Sequence, residues 1–93
     1  MSKKRFASVW DAIEDSPAVA ENMKLRSELA MALQEYIVEK KLTQAAAARL
    51  FGVSQPRVSD LVRGKIHLFA VDTLVNMASA AGMRLELRVR RAA

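Results

Sequence analysis

Residues 42–64 read Leu42-Thr43-Gln44-Ala45-Ala46-Ala47-Ala48-Arg49-Leu50-Phe51-Gly52-Val53-Ser54-Gln55-Pro56-Arg57-Val58-Ser59-Asp60-Leu61-Val62-Arg63-Gly64, a stretch in which every break between helical runs carries its own chemical cause. Thr43 can cap a helix that starts at Gln44, because its side-chain oxygen accepts an amide proton that the first turn leaves unpaired. Phe51 is expected to end that helix, and Gly52 to take the positive φ that a sharp reversal needs and that glycine adopts without a Cβ clash. Ser54 then caps a second helix, Pro56 falls in its first turn where a missing N–H costs little, and Val53 can staple onto Val58. Two short helices around a tight turn are the predicted product.

At about 100° per residue, Val58, Leu61 and Val62 share one side of the second helix and should pack on Ala47, Ala48 and Phe51. The opposite side is polar and partly basic, the kind of face that can enter a DNA major groove. Gln55, Pro56, Arg57, Ser59 and Asp60 are the candidate base readers. Glutamine pairs bidentately with adenine, arginine with guanine, serine with either, and aspartate accepts from the cytosine amino group. Gln44, Arg49, Ser54, Arg63 and Lys65 are the candidate phosphate contacts, which fix register without reading sequence.

The whole chain bounds the alternatives. Ninety-three residues make one domain, large enough to bury about 60–65% of the surface of the unfolded chain. The absence of cysteine excludes disulfides and thiolate metal sites. Lys3-Lys4-Arg5 is not followed by the apolar run of a secretory signal, and no run approaches bilayer-spanning length, so a cytoplasmic protein without a membrane contact is expected. The net charge of +5 is unevenly spread: Asp11 to Glu21 is acidic, whereas Leu42 to Ala93 holds eight Lys or Arg against three Asp or Glu. A basic half suits phosphate binding through counterion release. The acidic segment suits either solvent or a basic protein partner.

Outside the central stretch, Phe6, Val9, Trp10 and Ile13 recur at helical spacing and predict a short amphipathic helix before Ser16-Pro17. From Pro17, with Ser16 as cap, a helix is expected to run to Lys40, with room for a break near Asn22 and an apolar stripe of Leu25, Leu29, Leu33, Tyr36 and Ile37. After Gly64, Leu68 and Phe69 read as core plugs. A further helix from about Val71 to Ala81 should bury Val71, Leu74, Val75 and Ala78 before Gly82 ends it.

The remainder, Met83-Arg84-Leu85-Glu86-Leu87-Arg88-Val89-Arg90-Arg91, alternates apolar and charged residues with period two, which predicts a half-buried strand. No second strand is evident to pair with it. A lone strand leaves its hydrogen-bonding groups unmatched, and the same strand of a second copy is the simplest partner. A homodimer is therefore expected, with Met83, Leu85, Leu87 and Val89 at its interface. The predicted fold is mainly α: four to five helices with a central helix-turn-helix, plus one C-terminal β-strand pairing across a dimer. It divides into an N-terminal arm (1–16), a helical helix-turn-helix domain (17–82), and a dimerisation strand with a basic tail (83–93).

From about Val19 to Arg90 the chain resembles the Cro and phage-repressor-like (XRE) helix-turn-helix family, most closely its HigA-type antitoxin-like branch. The likeness is carried by Leu42-Thr43-Gln44, by Gly52 to Ser59, by Leu61-Val62-Arg63-Gly64-Lys65, and by Leu68-Phe69 with Asp72-Thr73-Leu74. It implies a dimeric transcriptional regulator that represses its own operator, a double-stranded inverted repeat, and that neutralises a neighbouring toxin, commonly an RNA-cleaving one of the RelE type. The family's DNA-reading positions fall on Gln55, Pro56, Arg57, Ser59 and Asp60. Two departures stand out: four consecutive alanines follow Gln44, and Ala70 occupies a position where relatives often place a capping serine.

Two other readings stay open at this level. A solitary phage-type repressor would lack the toxin, and a protein-binding module would lack DNA affinity. An enzyme has little support. His67 has no second histidine or cysteine beside it in the sequence to build a metal or nucleophile site, Glu14-Asp15 point about 100° apart on a helix, and three scattered glycines make no phosphate loop. No cofactor or metal is expected.

Overall fold

A computed structural model of the chain describes residues 17–91. The predicted arm helix around Phe6, Val9, Trp10 and Ile13, and the proposed Ser16 cap, lie outside the described residues. Four α-helices and one short turn of 3₁₀ helix follow in order: α1 (Pro17–Glu39), α2 (Gln44–Phe51), α3 (Gln55–Val62), the 3₁₀ turn (Ile66–Leu68) and α4 (Val71–Ala80).

Proline suits the first position of α1, where its missing N–H is one the helix would leave unpaired in any case. The helix then runs without interruption past Asn22 to Glu39. It ends where Lys41 adopts a left-handed conformation, φ +53°. The Leu42 amide then donates to the Ile37 carbonyl at 3.0 Å and the Lys41 amide to Val38 at 3.1 Å, which satisfies two of the last carbonyls. The same device ends α4 on Gly82 (φ +83°), with the Met83 amide donating to Ala78 at 3.0 Å. There glycine carries the conformation at no steric cost; at the end of α1 a lysine must bear it.

α1 is the scaffold. It packs against α4, the 3₁₀ turn and α3, while α2 packs against α3 and α4. The buried set among the described residues is entirely apolar: Ala30, Leu33 and Ile37 from α1; Ala47, Ala48 and Phe51 from α2; Val58 and Leu61 from α3; Phe69; and Leu74, Met77 and Ala78 from α4. Ala47 and Ala48 let α2 and α3 approach closely, so two helices of eight residues each share one core layer. Tyr36 reaches from α1 toward Phe51 with ring centroids 6.4 Å apart, and Lys40 lies 5.8 Å above the Tyr36 ring.

Several residues expected in the core lie at its rim, each for a geometric reason. All three buried residues of α1 belong to its C-terminal half. A 23-residue helix is about 34 Å long, more than its shorter neighbours can cover, so Leu25 is left exposed. Val62 is 46% exposed because it is the last residue of α3, rotated away from the Val58–Leu61 line. Leu68 is 43% exposed while Phe69 is fully enclosed. Phe69 leaves the 3₁₀ turn in extended backbone, φ −115° and ψ 128°, so its side chain departs in a different direction from that of Leu68 and only one of the two enters the core. On α4 the buried line is Leu74, Met77 and Ala78, with Val71 and Val75 half-buried on its flanks.

Residues 83–91 carry neither helix nor strand within the single chain. Met83 packs against the core, whereas Leu87 and Val89 are 79% and 82% exposed. A strand exists only with a ladder partner, so the predicted strand and its pairing are not shown by one copy. Among the described residues no helix is long and apolar enough to cross a membrane, and no group of acidic, histidine or cysteine side chains could hold a metal ion.

Candidate nucleic-acid interface

The α2–turn–α3 unit is built by caps. Thr43 Oγ1 accepts from the Ala46 amide at 3.0 Å, and Ser54 Oγ accepts from the Arg57 amide at 3.4 Å. Both residues hold extended backbone, which is what the cap position requires. Between them Gly52 takes φ +72° and its amide donates to the Ala48 carbonyl. The chain therefore turns within three residues, Gly52 to Ser54, and brings the first residue of α2, Gln44, beside the first turn of α3.

That proximity creates one shallow, open concavity lined by Gln44, Gln55, Pro56 and Ser59. Three of the five candidate base readers thus share a surface with one candidate phosphate contact. Gln55 and Pro56 are exposed and Ser59 is half-buried. The concavity offers amide donors and acceptors from Gln44 and Gln55, a hydroxyl from Ser59 and an apolar ring from Pro56, the mixture that reads base edges. The hydroxyl proton of Ser54 remains available to a phosphate, since the cap uses its oxygen as acceptor.

Arg57 lies elsewhere. Its guanidinium covers the face of Phe69 with 4.6 Å from Cζ to the ring centroid, and its Nη1 donates to the Leu68 carbonyl at 3.1 Å. The side chain that sequence reasoning grouped with the readers is thus held against the segment joining the 3₁₀ turn to α4. Asp60 is half-buried near the end of α3, and its carbonyl accepts from the Lys65 amide at 2.9 Å. Arg49 and Arg63 are exposed and Lys65 is half-buried. Residues 42–65 hold four cationic side chains and one anionic one, a balance that favours a polyanion.

Gln34, which the sequence does not single out, proves to matter for α3. Its Nε2 donates to the Leu61 carbonyl at 2.7 Å and ties the scaffold helix to the C-terminal turn of α3. Nothing in its sequence context distinguishes it from an ordinary surface glutamine, and the contact is 27 positions distant.

With this geometry in place, comparison with known proteins gives likenesses to a family and to solved structures. Residues 12–90 match the family described as helix-turn-helix domain. A solved structure named as an XRE family transcriptional regulator aligns with a TM-score of 0.71 and 36% sequence identity, covering 77% of this chain and 81% of that one. No curated protein matches the chain.

Proposed function

The chain belongs to the helix-turn-helix domain family, and from that premise we propose a sequence-specific regulator that grips an inverted-repeat operator as a homodimer. Family and XRE-type neighbour together make it a DNA-binding transcriptional regulator rather than an enzyme. The observation that carries the finer reading is the concavity shared by Gln44, Gln55, Pro56 and Ser59 at the adjoining N-termini of α2 and α3. In this docking mode the N-terminal turn of the second helix meets base edges while the first helix crosses the backbone. Gln55, Pro56, Ser59 and Asp60 supply base contacts; Gln44, Arg49, Ser54, Arg63 and Lys65 hold phosphates on either side.

The homodimer reading rests on residues 83–91. Leu85, Leu87 and Val89 stand at alternate positions and are all exposed in one copy, and pairing this segment with its equivalent about a two-fold axis would cover them. Two α3 helices about 34 Å apart then match half-sites one DNA turn apart. Selection from a random duplex pool tests both parts. The expected product is two inverted half-sites with centres about ten base pairs apart, bound with an affinity that falls linearly with log salt. Enrichment of no sequence, or of a single half-site, would count against the reading.

The role extends to an autorepressing antitoxin on the resemblance carried by residues 42–74. Co-expression with the product of an adjacent open reading frame tests this step. A neighbour whose toxicity is relieved by a stable complex supports it, and a locus without such a neighbour leaves a solitary repressor.

A further inference from the structure

We propose that Arg57 is a positioning residue for the DNA-reading surface, not a reader: stacked on Phe69 and bonded to Leu68, it anchors the first turn of α3 and stays there when DNA is bound. The inference rests on the reading of α3 as the recognition helix and assigns one of its most prominent polar side chains a different task.

Three observations converge. Cζ of the guanidinium lies over the Phe69 ring, 4.6 Å from its centroid, and Phe69 is wholly enclosed, so the aromatic platform is itself held by the core. Nη1 donates to the Leu68 carbonyl at 3.1 Å, and this oxygen sits where the 3₁₀ turn hands over to α4. The Arg57 amide is also the donor that Ser54 caps, so main chain and side chain of one residue fix both the start of α3 and its link to the following segment. With Gln34 holding the Leu61 carbonyl at the other end, α3 is fastened near each terminus, and Gln55, Pro56 and Ser59 project from a helix with little freedom to tilt.

For Arg57 to reach a guanine it would have to give up both the ring and the carbonyl. A glutamine-led surface has no need of it. The consequence is an operator preference built on adenine opposite Gln55, with no guanine demanded by the first turn of α3.

NMR on the wild-type protein with and without its selected operator tests the assignment directly. Protons on Arg57 Cδ should be shifted upfield by the Phe69 ring, and the shift should persist in the complex. Its loss on adding operator, while Phe69 signals stay put, would show that Arg57 swings to DNA and would overturn the proposal. Affinity supplies a second arm. Arg57→Ala should weaken the operator about threefold to tenfold, with the loss shared across single-base-pair variants and the salt slope unchanged. Arg57→Lys should behave like Arg57→Ala, because an ammonium lacks the flat surface that stacks on the ring. Abolition of preference at one G·C pair, or a salt slope reduced by about one phosphate contact and restored by lysine, would overturn it. Absence of any DNA binding by the wild-type protein would instead strike the parent reading.

Discussion

Removing the amide of Gln34 offers a quantitative test of how α3 is held. In Gln34→Ala the 2.7 Å bond from Nε2 to the Leu61 carbonyl is lost. That carbonyl still accepts the Gly64 amide at 3.1 Å, so it is not left unsatisfied. The cost is then the net worth of one hydrogen bond, about 0.5–1.5 kcal/mol, rather than the larger penalty of a buried orphan. Truncating a half-buried stem adds about 0.5 kcal/mol, and the better helix propensity of alanine returns a few tenths, about 0.3 kcal/mol. The sum is a loss of about 1 kcal/mol, or about 4–8 °C in Tm for a domain of this size. Urea denaturation with an unchanged m-value is the assay. Gln34→Glu keeps the length but replaces a donor with an anionic acceptor facing a carbonyl, so it should lose at least as much. Ala and Glu variants both within 0.3 kcal/mol of wild type, a margin about the size of the propensity term, would refute the clamp; a loss above about 3 kcal/mol would mean that Leu61 is in fact stranded.

Other consequences follow from the helix ends and the tail. Lys41 holds φ +53° without the freedom of glycine, so Lys41→Gly should stabilise the fold by about 0.5–1 kcal/mol in thermal melts; no gain would show that the left-handed residue is unstrained. Ala70 has cap geometry, φ −75° and ψ 155°, but no side-chain cap bond, and Ala70→Ser should add about 1 kcal/mol. An unchanged midpoint would mean that Asp72, in the first turn of α4, already supplies what the helix end needs. Leu87→Asp should convert a dimer to a monomer by light scattering and cut affinity for the two-half-site operator. An unaltered mass would place the dimer contact elsewhere or remove it.

Local chemistry made the helix-turn-helix legible. Thr43, Gly52, Ser54 and Pro56 each act within four residues, so their effects can be read without tertiary structure, and the observed caps match them one for one. Helical faces were legible only to within one side chain. Leu25, Val62 and Leu68 are as apolar as the residues that are buried, and what exposes them is the length of neighbouring helices, the end of α3 at Val62 and the direction in which the chain leaves the 3₁₀ turn. Met77 and Ala30 lie in the core because partners happen to face them. At the candidate interface Gln55, Pro56 and Ser59 could be grouped from the turn, whereas their shared concavity with Gln44, expected only as a phosphate contact, shows in the structure. The partner of Arg57 could not: Phe69 is twelve positions further on, and only the packing of the 3₁₀ turn against α1 and α3 brings it under the guanidinium. The predicted C-terminal strand is not seen: residues 83–91 carry neither helix nor strand in the single chain, and alternation of apolar and charged residues cannot by itself supply the ladder partner a strand needs.

The most direct measurement compares Gln55→Ala with Lys65→Ala by fluorescence anisotropy on the selected operator and on a series carrying one altered base pair each. Gln55→Ala should lose about 1–3 kcal/mol on every duplex that keeps one particular A·T pair and nothing on the duplex altered at that pair, whereas Lys65→Ala should weaken every duplex alike, that one included, and lower the salt slope by about one. Equal loss across all duplexes for both variants would contradict the assignment of the N-terminal turn of α3 to base recognition.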